Sequence, residues 1–500
     1  MKQTALLLFT LLLCGTAMAQ VDPEAFRKQQ QQMREEFERE RDGMRKQYDN
    51  ERTKAEAEFA PFRKKANEEY AAAVREAWQQ MGVQPAVPKP AEPKPPQPRK
   101  PAPDKLPTTV QLPRAEVVPA PAKPTPIPVP VIPEAVPEAP TMQFAMYGAP
   151  CNVHTALDGL RFRLAGVDEK SVATAWKQLS QKKYDGLLHD CLEQREALGL
   201  GDWGYMQLLG QMGEKLLGKG SNEAVLLQMY LLAQSGYRVR LGRANGKLIL
   251  LMPFNHRIYG YSFLELDGMK HYVLTREKLK HIEICAVAFP REQVANILMS
   301  RLPELGPAEG SKKRSRTVVA EQFGTMKATV AVDERLMDFL NDYPLSDAWN
   351  YYALAGLSDG VKATLYPALR SQIEGKSKKK AALMLLDFVQ TGFDYATDQE
   401  QFGYERPLFG DESFYYPKND CEDRSILYSI LVRDLLGLDV VLVEWPGHLG
   451  TAVAFPEAVE GDYFTIDGRR YTVCDPTYIG APVGETMPQF QGVKAKIVKL

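Results

Sequence analysis

The chain has 500 residues, too many for one hydrophobic core, so two or three domains plus extensions are expected. Its 62 lysines and arginines nearly balance 63 aspartates and glutamates. The net charge of −1 excludes a global field suited to nucleic acid or to an anionic membrane surface.

Residues 1–19 read as a secretory signal. Lys2 supplies the positive start, 5–13 is a short apolar run, and Ala17-Met18-Ala19 offers small residues at the cleavage positions. The run is too short to span a bilayer, and no later segment is long and apolar enough to do so. Leu13 before Cys14 argues against lipidation, where a small residue is expected. The expected location is outside the cytoplasm: periplasmic, cell-surface or secreted. Removing the signal leaves Cys151, Cys191, Cys285, Cys421 and Cys474, an odd number that leaves at least one thiol unpaired.

Residues 20–83 are predicted to form one long helix. Phe26, Phe37, Tyr48, Phe59, Tyr70 and Met81 recur every eleven residues, a period of a nearly straight or slightly right-handed seam. Self-association through this stripe is expected, with a kink or break at Pro61. The competing reading is a solvated, charge-laced single helix. Residues 84–140 are rich in Pro, Ala, Lys, Val and Glu and read as an extended, semi-rigid spacer.

From 141 the pattern becomes globular and contains itself twice. An amphipathic helical run, a glycine and a strand recur at 224–241 and 425–442. A strand, an Asp-Gly turn and a second strand recur at 263–274 and 464–474, a hairpin signal. Trp176 and Trp349 each begin a similar helical region upstream. The second copy carries extra residues between Phe393 and Lys418, rich in Tyr, Phe, Gly and Asp, which reads as a substrate-facing loop.

Three short motifs in the second copy carry chemistry. Cys421 precedes a helix in Asn419-Asp420-Cys421-Glu422-Asp423, His448 opens a strand after Pro446-Gly447, and Asp475 ends one before Pro476. Each has a bland reading alone: a small buried hydrophobe, a satisfied histidine, a turn aspartate. Together they are a nucleophile, a base and an orienting carboxylate, and a helix N-terminus favours a thiolate. Opposite them the first copy offers Gly220 or Ser221, Lys247 or Leu248, and Thr275. It keeps the scaffold and loses the three groups. No Cys-x-x-Cys, His-Glu-x-x-His or phosphate-binding glycine loop is present, so neither metal nor cofactor is expected. Glu422 and Asp423 could bind calcium in principle, but a solvated helix start is the favoured reading. The Cys421 amide is the expected oxyanion donor, ahead of Tyr415 or Tyr416.

Residues 380–480 resemble the transglutaminase-like superfamily, a papain-like cysteine fold, through Asp420-Cys421-Glu422-Asp423, Gly437, His448 and Asp475-Pro476-Thr477. The Asp-Cys-Glu-Asp run also resembles bacterial transglutaminase-like cysteine peptidases. The resemblance implies an α+β fold and a Cys–His–Asp triad acting through an acyl-enzyme. Many members follow the histidine with Ala-Trp, where this chain has Leu449-Gly450. The expected architecture is two transglutaminase-like lobes, a degenerate one at 141–305 and a catalytic one at 306–500. The expected function is an exported cysteine acyl-transfer enzyme acting on protein or peptide amide or isopeptide bonds, with hydrolysis ahead of crosslinking. The alternative is a non-catalytic scaffold or binding protein on the same fold.

Overall fold

The computed structural model describes residues 60–88, 109–113, 116–121, 140–181, 184–290, 294–298, 301–306 and 310–500. The signal-like 1–19, the stripe over 22–59 and most of the proline-rich stretch lie outside the described residues. The chain divides into two compact units, 1–63 and 64–500. Of the first, only 60–63 are described, and they are helical. The second is mixed α+β, and no described helix is long and apolar enough to cross a membrane.

Residues 60–76 are helical (α1). Tyr70, a member of the eleven-residue stripe, is fully buried, 4.6 Å edge-on from Trp176 and 5.6 Å from Phe289. Contacts of this kind add about 0.5–1.5 kcal/mol each beyond area burial. This part of the stripe therefore packs within the chain. The expected helix to 83 is also cut short. Trp78–Gly82 is a strand, β1, paired antiparallel with β9 (His281–Cys285) from Trp78↔Cys285 to Gly82↔His281. The sheet edge satisfies backbone groups that a frayed helix end would leave to water. The proline-rich stretch also departs from a pure spacer. Leu112 is buried, and Glu116–Val118 forms β2, parallel to β18 (Lys496–Lys499).

After the hairpin β3–β4 (Met142–Met146, Ala149–Val153) come four helices: α2 (Glu169–Gln181), α3 (Asp185–Ala197), α4 (Asp202–Leu217) and α5 (Asn222–Gln234). Four strands follow: β5 (Arg240–Ala244), β6 (Lys247–Pro253), β7 (Phe263–Leu266) and β8 (Met269–Val273), then β9. A second hairpin, β10–β11 (Lys313–Val319, Lys327–Asp333), leads into α6 (Glu334–Asp342), α7 (Trp349–Ala355), α8 (Asp359–Ile373) and α9 (Lys378–Thr391). The segment expected as an insert folds into β12 (Asp394–Tyr395), α10 (Asp398–Gln401), α11 (Glu412–Tyr415) and β13 (Lys418–Asn419). Helix α12 (Cys421–Leu431) continues through a π-turn, Val432–Leu436, and stops at Gly437 in the left-handed region (φ 65°). Strands β14 (Val440–Trp445), β15 (His448–Val453), β16 (Tyr463–Ile466) and β17 (Arg469–Cys474) precede β18.

The two six-stranded sheets share one plan. Their orders are β1-β9-β5-β6-β8-β7 and, read from the other edge, β2-β18-β14-β15-β17-β16. In each, one helix (α5 or α12) leads into the central hairpin. Both outer hairpins turn on Asp-Gly with positive φ at both residues: 52° and 72° at Asp267-Gly268, 49° and 75° at Asp467-Gly468. That is the type I′ geometry whose twist matches the strands. The outermost strands differ, because β1 pairs antiparallel and β2 parallel.

Candidate functional site

Cys421 is the first residue of α12, and every residue of that helix is buried. The approach is fixed from behind. The Asp423 carboxylate accepts from the amides of Asp420 (3.3 Å) and Leu408 (2.8 Å). The buried Arg424 guanidinium donates to the carbonyls of Gln390 (3.2 Å) and Phe393 (2.7 Å). Glu422 and Asp423 are therefore not a solvated helix start: they are buried at 5% and 0% exposure. The sequence could not show this, because the layer covering them is the 393–418 segment folded back over the helix.

His448 is delivered by the β14–β15 hairpin. Trp445 pairs with His448 across a two-residue turn, with Pro446 in first position and Gly447 at φ 74° in second. The imidazole is fully buried. Its Nε2 lies 2.8 Å from Asp475 Oδ2. A carboxylate only accepts, so Nε2 carries the proton in the neutral ring. The ring stacks on Phe490 (5.1 Å, 6° between planes) and on Trp445 (5.8 Å, 16°). Asp475 follows β17 directly, and its second oxygen accepts from the amides of Thr477 (2.9 Å) and Tyr478 (3.3 Å). Gln390 on α9 donates to the Asp475 carbonyl (2.9 Å) and fastens this turn. Both carboxylate oxygens are thus committed, and the imidazole orientation follows.

Cys421 and His448 line the same cavity, of about 230 Å³. His448 Nδ1 is buried with no hydrogen-bond partner among the described residues, and it makes no hydrogen bond to the thiol. The thiol instead donates to Glu422 Oε2, 3.1 Å away, and the Leu449 amide bonds the sulfur. Burial pushes the Cys421 thiol up and Asp420 adds to this, while the Leu449 amide and Glu422 act the other way. Histidine and aspartate are therefore in contact, and the thiol faces the same space with its proton held elsewhere.

The cavity has walls that sequence reasoning missed. Arg257 and Tyr259 come from the β6–β7 connection, and Ser346, Asp347 and Trp349 from the approach to α7. Arg257 ion-pairs with Asp347, Ser346 Oγ donates to the Arg257 carbonyl (2.7 Å), and the Tyr259 amide donates to the Leu345 carbonyl (2.9 Å). No periodicity marks 254–262, so nothing in the sequence flagged it. The expected loop does contribute, through Glu405 and Pro407, whereas Tyr415 and Tyr416 do not line the cavity. Their rings instead lie under Arg314 (5.0 Å) and Arg406 (4.8 Å).

Carboxylates crowd this place. Asp398, Glu405 and Glu422 bring oxygens within 4.8 Å of one another, as do Asp398, Asp420 and Asp423. All five residues are buried. Burial raises Glu422 well above the ordinary carboxyl range, with Cys421 and Glu405 adding to it; Asp420 is raised by burial, then by Glu422 and Asp423. An oxygen-rich set of this kind suits a hard divalent cation. The five cysteines among the described residues are all free and buried, which fits the expectation of at least one unpaired thiol.

The sheet registers locate the first half's counterparts. Asn222 opens α5 as Cys421 opens α12, and its Oδ1 accepts from Leu248 N (2.8 Å) as the sulfur does from Leu449 N. Lys247 faces Ala244 across its hairpin as His448 faces Trp445. Thr275 follows β8 by two residues, opposite the position of Asp475. The counterpart of Cys421 is thus Asn222, not Gly220 or Ser221: Ser221 is the N-cap, its hydroxyl taken by the Ala224 amide (3.1 Å). Lys247 ion-pairs with Glu277 at 2.6 Å.

No protein-family model matches the chain. No curated protein and no solved structure matches it either.

Proposed function

We propose that the chain is an exported cysteine acyl-transfer enzyme with Cys421 as nucleophile, His448 as base and Asp475 as its orienting carboxylate. On this reading the two sheet-and-helix halves are transglutaminase-like, papain-like copies, and the first is degenerate. The carrying observation is the buried His448–Asp475 pair at 2.8 Å whose other ring nitrogen has no partner in a cavity shared with a thiol. A general base needs one ring nitrogen open to the proton it takes.

The thiol proton passes from the Cys421 sulfur to His448 Nδ1 as its hydrogen bond to Glu422 breaks, and the resulting thiolate attacks the carbonyl carbon of a peptide or isopeptide amide. The imidazolium, stabilised by Asp475, protonates the departing amine. Water activated by the same imidazole then releases the acyl group as a carboxylate. The Cys421 amide at the helix start and the Trp445 indole N–H, buried without a partner, supply donors for the developing oxyanion. Hydrolysis is favoured over crosslinking because water is the acceptor unless the site excludes it. Digestion of a diverse peptide library tests this: cleavage by the parent chain and none by Cys421→Ser supports it, and equal cleavage by both rejects it.

One observation favours a non-catalytic scaffold: the thiol is buried among carboxylates and its proton is engaged by Glu422. A protein of that kind would keep His448–Asp475 as a buried strut and leave library peptides intact.

A further inference from the structure

A cluster of metal-ligating side chains lies in the first half, and none of its residues lines the cavity. Helix α3 carries His189, Asp190 and Glu193, and His154 directly follows β4. His189 and Glu193 are four residues apart and share one face of the helix. One ligand atom from each of His189, Asp190 and Glu193 lies within 4.8 Å of the other two. His154 adds a second imidazole from the hairpin, its Nδ1 4.0 Å from Asp190 Oδ1.

The Asp190 carboxylate is held in one pose. The residue is 4% exposed, and its Oδ2 accepts from the amides of His154 (3.0 Å) and Thr155 (2.8 Å) and from the Thr155 hydroxyl (2.7 Å). Three donors saturate that oxygen. Oδ1 accepts no hydrogen bond from the described residues, and the nearest imidazole nitrogen stands off from it.

The spacings favour a shared ion over direct pairing. His189 Nε2 is 3.7 Å from Glu193 Oε1, and the His154–Asp190 separation is 4.0 Å. Both exceed the span of an N–H···O hydrogen bond, about 2.7–3.2 Å. Ligand atoms held tetrahedrally at about 2.0–2.2 Å from one zinc are about 3.3–3.6 Å from each other. Small side-chain rotations close the difference. The side chains of His189, His154 and Glu193 are 16%, 22% and 50% exposed, which leaves them room to turn and gives an ion its way in. Two imidazoles with two carboxylates suit zinc, whereas calcium and magnesium take oxygen ligands.

We infer that His154, His189, Asp190 and Glu193 bind one zinc ion. The ion joins the end of the β3–β4 hairpin to α3, and the Thr155 bonds to Asp190 orient that ligand from behind. Four protein ligands close a tetrahedral shell, so the role is structural. The site is independent of the acyl-transfer reading.

Zinc titration of the chelator-treated full chain tests this, read by a competing metallochromic indicator and by the thermal transition. Expected is one tight equivalent per chain, lost in His189→Ala and in His154→Ala, and a zinc-induced rise of the thermal transition that both variants lack. Each variant is first compared with the parent in chelator, where the transitions are expected to coincide. Glu193→Gln changes a half-exposed side chain that the fold does not need, and is expected to weaken the equivalent about tenfold or more. X-ray absorption with one equivalent added is expected to show nitrogen and oxygen ligands without sulfur, which sets this site apart from the buried cysteines. Zinc that binds all three variants as it binds the parent sits elsewhere and overturns the inference. So does sulfur in the shell, or a parent chain that binds no zinc.

Discussion

Asn222 and Cys421 hold like positions beside two sheets of one strand plan: each opens a helix and accepts the backbone amide of a leucine (248 or 449) on the following hairpin. The polar contact is therefore a structural requirement of the fold, which an amide side chain meets as well as a sulfur. Histidine and aspartate are not such a requirement, because Lys247 and Thr275 stand in their places with the sheet unchanged. Asn222→Cys with the first half otherwise intact is expected to fold and to give a second thiol without triad-type reactivity. Rapid alkylation of that thiol would contradict the assignment of Lys247 as the non-functional counterpart of His448.

Asp475→Asn is expected to reduce turnover by about two to four orders of magnitude, with little change in the thermal transition. The amide can still accept from Thr477 and Tyr478, but it no longer stabilises an imidazolium. Steady-state kinetics beside calorimetry separate the two effects. Loss of folding instead would make the pair a strut.

Asp420→Asn is expected to speed alkylation of Cys421 by a small neutral haloacetamide and to move its pH–rate profile to lower pH. After burial, the Asp420 charge is the largest influence raising the thiol. Asparagine is also a good N-cap, so the helix start is kept. An unchanged profile would mean that Asp420 is protonated throughout.

Gly450→Ala tests the crowding behind the histidine. A Cβ at 450 falls 3.0 Å from the Trp445 ring and 3.7 Å from the Asp475 carboxyl. Overpacking of this kind costs about 1–3 kcal/mol. A lower thermal transition together with slower Cys421 alkylation is expected.

Asp411 gives a pH test of the framework. It is fully buried, accepts from the Ser358 amide (2.9 Å) and hydroxyl, and burial raises its carboxyl to about 6. A raised carboxyl binds its proton more tightly in the folded chain. Its contribution is thus full below the unfolded value near 4 and is lost as pH rises through about 6. Asp411→Asn does not ionise, so its stability relative to the parent is expected to grow between pH 4 and pH 7. The gain is about 3 kcal/mol for a shift of about two units. A difference independent of pH in chemical denaturation would refute this.

Much of the second half was legible in the sequence because its signals are local. The Asp-Gly turns, Gly437 and the helix after Cys421 announce themselves within a few residues. The order of thiol, imidazole and carboxylate is equally local. The rest depends on contacts between distant segments. Arg257 reaches the cavity from the first half, and the burial of Glu422 depends on a segment folded over it. Trp78–Gly82 became a strand because β9 offered an edge, which outweighed an eleven-residue pattern that reads as helix. The thiol's bond to Glu422 is likewise invisible in a motif where both residues look like a solvated helix start.

The most direct test of the central claim is the alkylation rate of Cys421 by a neutral epoxide between pH 5 and pH 9, in the parent and in His448→Ala. The account requires a rate in the parent at pH 7 well above that of the other four thiols, falling about a hundredfold or more in His448→Ala. Equal rates in the two proteins, with Cys421 no faster than Cys151 or Cys474, would contradict it.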